Sequence, residues 1–142
     1  MSDPTIFERI IDGEIPAEII RETDDVIAFL DANPLAPGHT LVVPKEAHER
    51  LRDVPPALSG EVFGVVRDLA PAIEDAVEAD ATTVGINDGR AAGQEIEHLH
   101  VHIVPRFDGD GGGSLHSVMG AAGGVDDPDL GGIADDIAAA LE

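Results

Sequence analysis

His98-Leu99-His100-Val101-His102-Ile103-Val104 alternates imidazole and aliphatic side chains with a period of two. Successive side chains of an extended strand point to opposite faces, so the three imidazoles share one face and Leu99, Val101 and Ile103 share the other. Half of the six histidines of the chain fall in this one stretch. An acidic chain solvating a strand face would place Glu, Asp or Thr there, so repeated histidine points to chemistry. Two chemistries fit. Neighbouring inward positions can converge on a metal ion, because imidazole is a common zinc ligand. Alternatively one imidazole is a nucleophile toward phosphorus while its neighbours orient it and contact phosphate oxygens. Asn87, Gly93 and Gln94, just upstream, offer amide donors of the kind that bind phosphate oxygens, which a metal site would not need; they favour the second.

Outward from this stretch the pattern is mixed α+β. Asp3-Pro4 reads as a helix cap and first turn, followed by the apolar face Ile6, Phe7, Ile10 and Ile11 and a stop at Gly13. Residues 18–21 and 26–30 read as two strands joined by a polar turn, and residues 39–43 as a third strand after a loop with two prolines and a glycine. Apolar positions from Val62 to Val77 recur at helical spacing between residues 58 and 79, with Pro71 expected to kink or divide the helix. Residues 82–86 and 97–104 complete five strands. Nine of the 16 glycines fall between Gly109 and Gly132, which predicts loop, and Asp127-Pro128 predicts a final helix whose Leu130, Ile133, Ile137 and Leu141 share one face. That helix is expected to dock, giving one domain made of a core at 1–107 and a glycine-rich acidic tail at 108–142.

With 142 residues the chain has the size of one domain. Its 29 acidic residues against 8 Lys and Arg give a formal charge of −21, which excludes binding to nucleic acid through a basic stripe and disfavours anionic lipid. Such acidity suits solubility at molar salt, where a Debye length of about 3 Å screens self-repulsion, and we read the chain as a halophile's protein. The absence of cysteine excludes disulfides, thiol nucleophiles and thiolate metal sites. No apolar run is long enough to span a membrane and no secretory signal opens the chain, so the expected compartment is the cytoplasm.

The triad does not stand alone. Ile6-Phe7-x-x-Ile10-Ile11-x-Gly13-x-Ile15-Pro16, Ala28-Phe29-x-Asp31, Pro37-x-His39-x-Leu41-Val42-Val43-Pro44-Lys45, Asn87-x-Gly89 and Gly93-Gln94 precede it in order. Together they resemble the histidine triad superfamily over residues 5–106, closest to the branch that hydrolyses nucleoside phosphoramidates. The resemblance implies a five-stranded antiparallel sheet with two main helices, paired in a homodimer. It also implies hydrolysis or transfer of nucleotides through a nucleotidyl-histidine intermediate, with neither cofactor nor metal. Carried onto this chain, His100 is the nucleophile, its other ring nitrogen donating to the carbonyl of His98. His98, His102 and His39 complete the imidazole cluster. Asn87, Gly93, Gln94 and the backbone of Glu95 contact phosphate or ester oxygens, Asp31 accepts from the ribose hydroxyls, and Ile6, Phe7, Ile10 and Phe29 line the slot for a purine base.

Departures bear on what is cleaved. Many microbial relatives carry two cysteines that can bind structural zinc where this chain has Thr5 and Glu8, so no such zinc is expected. In the phosphoramidate-hydrolysing branch a serine follows the Gly-Gln pair and assists the leaving group; here Glu95 stands there, and its carboxylate is expected to point away from phosphate. Hydrolysis of dinucleoside polyphosphates, a non-catalytic purine-nucleotide-binding module, and zinc held by His98, His100 and His102 stay open as alternatives. His48 is expected on the surface and His116 in the tail.

Overall fold

The computed structural model describes residues 3–142. Helix α1 (Ile6–Ile11) leads into strands β1 (Ile19–Glu22), β2 (Val26–Leu30) and β3 (Thr40–Pro44), then helix α2 (Pro56–Val77), strands β4 (Ala81–Gly85) and β5 (Val101–Arg106), and helix α3 (Leu130–Ala140). The five strands form one sheet in the order β1-β2-β3-β5-β4 with every neighbouring pair antiparallel. This is the α+β architecture the sequence predicts. The chain falls into two compact units, Met1–Asp110 and Gly111–Glu142.

Period-two alternation on the central strands builds two separate cores. Val26, Ala28, Val42, Val101 and Ile103 face α2 and pack against Val62, Val65, Val66, Leu69 and Ile73. Ile27, Phe29, Leu41 and Val43 face the other way and pack with Phe7 and Ile10 of α1. Registers Phe29↔Leu41 and Leu41↔His102 carry that second face across β2, β3 and β5. The parity that turns Val101 and Ile103 toward α2 turns His100 and His102 toward α1.

Three boundaries differ from expectation. Helix α1 starts at Ile6 because Thr5, not Asp3, is its cap: Thr5 Oγ1 accepts from Glu8 N–H at 3.1 Å and Glu8 Oε1 accepts from Thr5 N–H at 3.0 Å. That reciprocal pair satisfies two otherwise orphaned donors at once. Pro71 lies inside α2 without dividing it, at the cost of one helical hydrogen bond. Strand β5 starts at Val101, so His98 and His100 precede the ladder: Leu99 N–H is taken by the carbonyl of His48 at 2.7 Å instead of by a strand.

In the second unit α3 starts two residues beyond Asp127-Pro128, with Asp129 accepting from Gly132 N–H at 3.1 Å, and its Leu130, Ile133 and Ile137 are exposed. Among the described residues no helix is long and apolar enough to cross a membrane.

Ile103 is fully buried between the sheet and α2. Ile103→Ala is expected to lower stability by about 2–5 kcal/mol, whereas Val84→Ala on the half-exposed edge strand costs less than about 0.5 kcal/mol; urea unfolding of the two variants measures both.

Candidate active site

Four imidazoles gather on the α1 side of the sheet. His39 lies just before β3, His98 and His100 lie on the approach to β5, and His102 lies within it. His100 and His102 meet edge to face at 5.0 Å, and the rings of His39 and His102 are 5.2 Å apart.

Hydrogen bonds to groups that act in only one sense order the protons. His100 Nδ1 lies 2.8 Å from the carbonyl of His98. A carbonyl only accepts, so Nδ1 carries the proton and, in the neutral ring, Nε2 keeps its lone pair. Leu35 N–H donates to His39 Nδ1 at 3.0 Å, which leaves the His39 proton on Nε2. That nitrogen lies 3.0 Å from His102 Nδ1, so His39 donates, His102 accepts, and the remaining His102 proton sits on Nε2. His102 Nε2 is buried and has no partner among the described residues.

The neutral forms follow from burial. Desolvation pushes His102 down to about 4, helped by the neighbouring His100 and His39 and opposed by Asp31. Desolvation also lowers His39, against the pull of Asp31, and lowers His98, against its bond to the Pro44 carbonyl.

Asp31, His39 and His102 bring three potential ligand atoms within 4.8 Å of one another. A metal on His39 Nε2 would force the ring proton onto Nδ1, directly against Leu35 N–H, so the loop amide opposes that use. His98 is no better placed as a ligand, since Nδ1 meets Thr5 Oγ1 and Nε2 meets the Pro44 carbonyl.

The remaining residues divide between chemistry and scaffold. Asn87 is exposed, with no side-chain partner among the described residues, and Glu95 is exposed. Gln94 is a correction. Its amide nitrogen donates to the carbonyls of Glu49 and Ile96 at 2.7 and 3.0 Å, and its Oε1 accepts from Gly89 N–H at 2.8 Å, so the side chain is spent on holding the loop. Gly93 N–H is likewise bonded, to the Arg90 carbonyl, with its φ of +99° closing the turn. Asp31 Oδ1 caps the following turn through Asn33 N–H at 2.9 Å, and Oδ2 lies 3.6 Å from His39 Nε2.

Of the four residues read as a base slot, Phe7, Ile10 and Phe29 are core side chains, and only Ile6, 47% exposed, presents surface. Phe7 contributes differently, meeting His100 edge-on at 4.9 Å. His48 is mostly buried rather than on the surface, and its carbonyl anchors Leu99. The bonds made by Thr5 and by the His48 carbonyl, and the Arg50–Asp88 pair at 2.9 Å, whose guanidinium packs on Gly89, are not signalled by the motif itself. Only Thr5 carried a local signal, the Thr5-x-x-Glu8 capping box.

The sequence pattern of the HIT domain matches residues 12–109. The chain belongs to the HIT-domain family. An uncharacterized HIT-like protein of Methanocaldococcus jannaschii is 44% identical over 108 residues, 75% of this chain and 81% of that protein. Two longer relatives are named as hydrolases. Adenylylsulfatase HINT3 of Arabidopsis thaliana is 36% identical over 78% of this chain and 56% of its own length. The asymmetrical bis(5′-nucleosyl)-tetraphosphatase of Schizosaccharomyces pombe is 38% identical over 68% and 53%. The crystal structure of a HIT family member from Bacillus subtilis superposes with a TM-score of 0.82 at 35% identity, covering 96% of both chains.

In this HIT protein the lowered histidines make stability depend on pH. An unfolded histidine titrates at about 6.5 and folded His102 at about 4, so between these values the unfolded chain binds more protons. Stability is therefore full above about pH 6.5 and is lost as pH falls toward 4. His102→Gln is expected to flatten that loss, read as a smaller drop in urea midpoint between about pH 7 and 4.5 than in the wild type.

Proposed function

We propose that this chain is a nucleotide hydrolase or transferase that cleaves purine nucleoside 5′-phosphoramidates or related nucleoside monophosphate derivatives through a nucleotidyl-His100 intermediate. The observation that carries the reading is the 2.8 Å bond from His100 Nδ1 to the His98 carbonyl, which commits the neutral ring to a bare Nε2. In the proposed reaction Nε2 attacks the α-phosphorus, an N–P bond forms, and the bond to the leaving group breaks, the leaving amine taking a proton from solvent. Water then adds to phosphorus, the N–P bond breaks, and the nucleoside monophosphate departs as a proton returns to solvent. His102 Nε2–H, a donor with no partner among the described residues, stabilises the phosphoryl oxygens.

Asn87 and the backbone N–H of Glu95 supply further donors, and Asp31 receives the ribose. The base rests on Ile6 over a floor of Phe7, Ile10 and Phe29. Gly93 and Gln94 shape the loop that presents these donors. A homodimer in the cytoplasm of a salt-adapted cell is the proposed setting, since donors acting at contact distance and an apolar base contact do not depend on long-range attraction at a charge of −21.

A second reading has one observation in its favour. The yeast relative is named as a dinucleoside tetraphosphatase, and Glu95 stands where the phosphoramidate-hydrolysing branch carries serine, so a nucleotide leaving group is the alternative to an amine. Wild type and His100→Ala, incubated in molar potassium chloride with an adenosine phosphoramidate and a dinucleoside tetraphosphate, decide between them by release of nucleoside monophosphate. Phosphoramidate turnover is expected, falling by about a thousandfold or more in His100→Ala. Cleavage of the tetraphosphate alone selects the second reading, and AMP binding without turnover of either substrate makes the chain a binding module.

Mononucleotide affinity is expected to persist at molar salt. Titration of AMP at low and high potassium chloride tests it, and a steep loss of binding at high salt overturns that part of the reading.

A further inference from the structure

His98 stands outside the β5 ladder; its backbone is held by its own N–H to the Ile96 carbonyl at 2.8 Å and by Leu99 N–H to the His48 carbonyl at 2.7 Å, and its ring is held separately by side-chain bonds. The ring is fully buried and both nitrogens are bonded. Nε2 lies 2.7 Å from the Pro44 carbonyl, which only accepts, so the proton is on Nε2 and Nδ1 must receive one. The group 3.0 Å from Nδ1 is the hydroxyl of Thr5. That oxygen already accepts from Glu8 N–H at 3.1 Å, which leaves its own proton for His98.

Thr5 thus closes a line running from the cap of α1 through the His98 ring to the His98 carbonyl, on which His100 Nδ1 depends. Phe7, two residues further along α1, touches the same two rings edge-on at 5.6 and 4.9 Å. The helix is docked on this histidine pair at two points, of which only Thr5 supplies a directed bond.

We propose that Thr5 is a positioning residue for His100, acting through His98. The hydroxyl fixes the His98 ring, the ring acts together with the Leu99–His48 backbone bond to hold the His98 carbonyl, and the carbonyl holds His100 with Nε2 bare. The inference rests on the reading of His100 as the nucleophile, although the arrangement of the rings can be measured without any substrate.

Four variants separate positioning from helix capping. Thr5→Val removes both cap and donor. Thr5→Asp keeps a good cap but only accepts, so the donor to His98 is lost while the helix stays capped. Thr5→Ser restores both functions, and Glu8→Ala weakens the cap without touching the donor. In Thr5→Val and Thr5→Asp, kcat is expected to fall about tenfold, the worth of one neutral hydrogen bond, with KM within about twofold. Thr5→Ser and Glu8→Ala are expected to keep the kcat of the wild type.

Nitrogen-15 spectra of the imidazoles give the independent reading. Wild type is expected to show His98 protonated on Nε2 and His100 on Nδ1, with the His100 signals moving toward a mixture of tautomers in Thr5→Val and Thr5→Asp only. Unchanged His100 signals in both variants overturn the proposal, whatever happens to kcat. So does a loss of kcat in Glu8→Ala equal to that in Thr5→Val. If wild type turns over neither nucleotide substrate, the proposed function fails, and the spectra still decide whether Thr5 sets the His100 ring.

Discussion

Strand parity is the constraint from which the rest of this molecule follows. On β2 and β3 successive residues alternate between the α2 and α1 cores, and on β5 Val101 and Ile103 are buried against α2 while the other face is half-exposed, so a register slip would invert two cores and expose the third strand's apolar face. The imidazoles inherit their address from this arrangement. With Val101 and Ile103 locked against α2, His100 and His102 have only the α1 face available. His39 and Asp31 reach it by the same parity, His39 two residues before Leu41 and Asp31 two residues after Phe29.

Within that frame the site separates residues that hold from residues that remain available. The loop at 88–94 is closed on the segment at 48–51 by Gln94 to the Glu49 carbonyl and by Asp88 to Arg50 and Leu51. Leu99 is tied to the His48 carbonyl next to it. Of the groups read as ligand donors in the sequence, the Gln94 side chain is used up by these bonds. Among the described residues, Asn87, His102 Nε2–H and the bare nitrogen of His100 are left without partners, which is the pattern a preorganised polar site requires.

Much of this was legible in the sequence because it is local. Alternation over residues 98–104, helical spacing from Val62 to Val77, and the turn residues around Thr23 each report their own element, and the five strands appear in order. What escaped is what depends on distant partners. A glutamine after a glycine reads equally well as a phosphate donor or a strut, and only the Glu49 carbonyl, far off in the chain, decides for Gln94. Phe7, Ile10 and Phe29 are apolar at helical or strand spacing, which is the pattern of a core, and a core is where they lie. The sequence places the start of the triad strand at 97, four residues before its start at Val101, because nothing local reveals that Leu99 bonds to His48. Thr5 is the exception: its capping box lay in plain view, masked by an equally good cap signature two residues earlier.

The hydrogen bond from Leu35 N–H to His39 has one more implication. Two imidazoles in contact can pass a proton either way, and a pair left to itself would occupy both arrangements. A peptide N–H cannot reverse its direction, so one end of the Leu35–His39–His102 line is pinned by a group that does not titrate. The polarity of the pocket is therefore written in a loop flanked by Pro34 and Pro37, outside the histidine motif. Inserting or deleting a residue there would leave every imidazole in the chain and still free the innermost nitrogen to donate or accept.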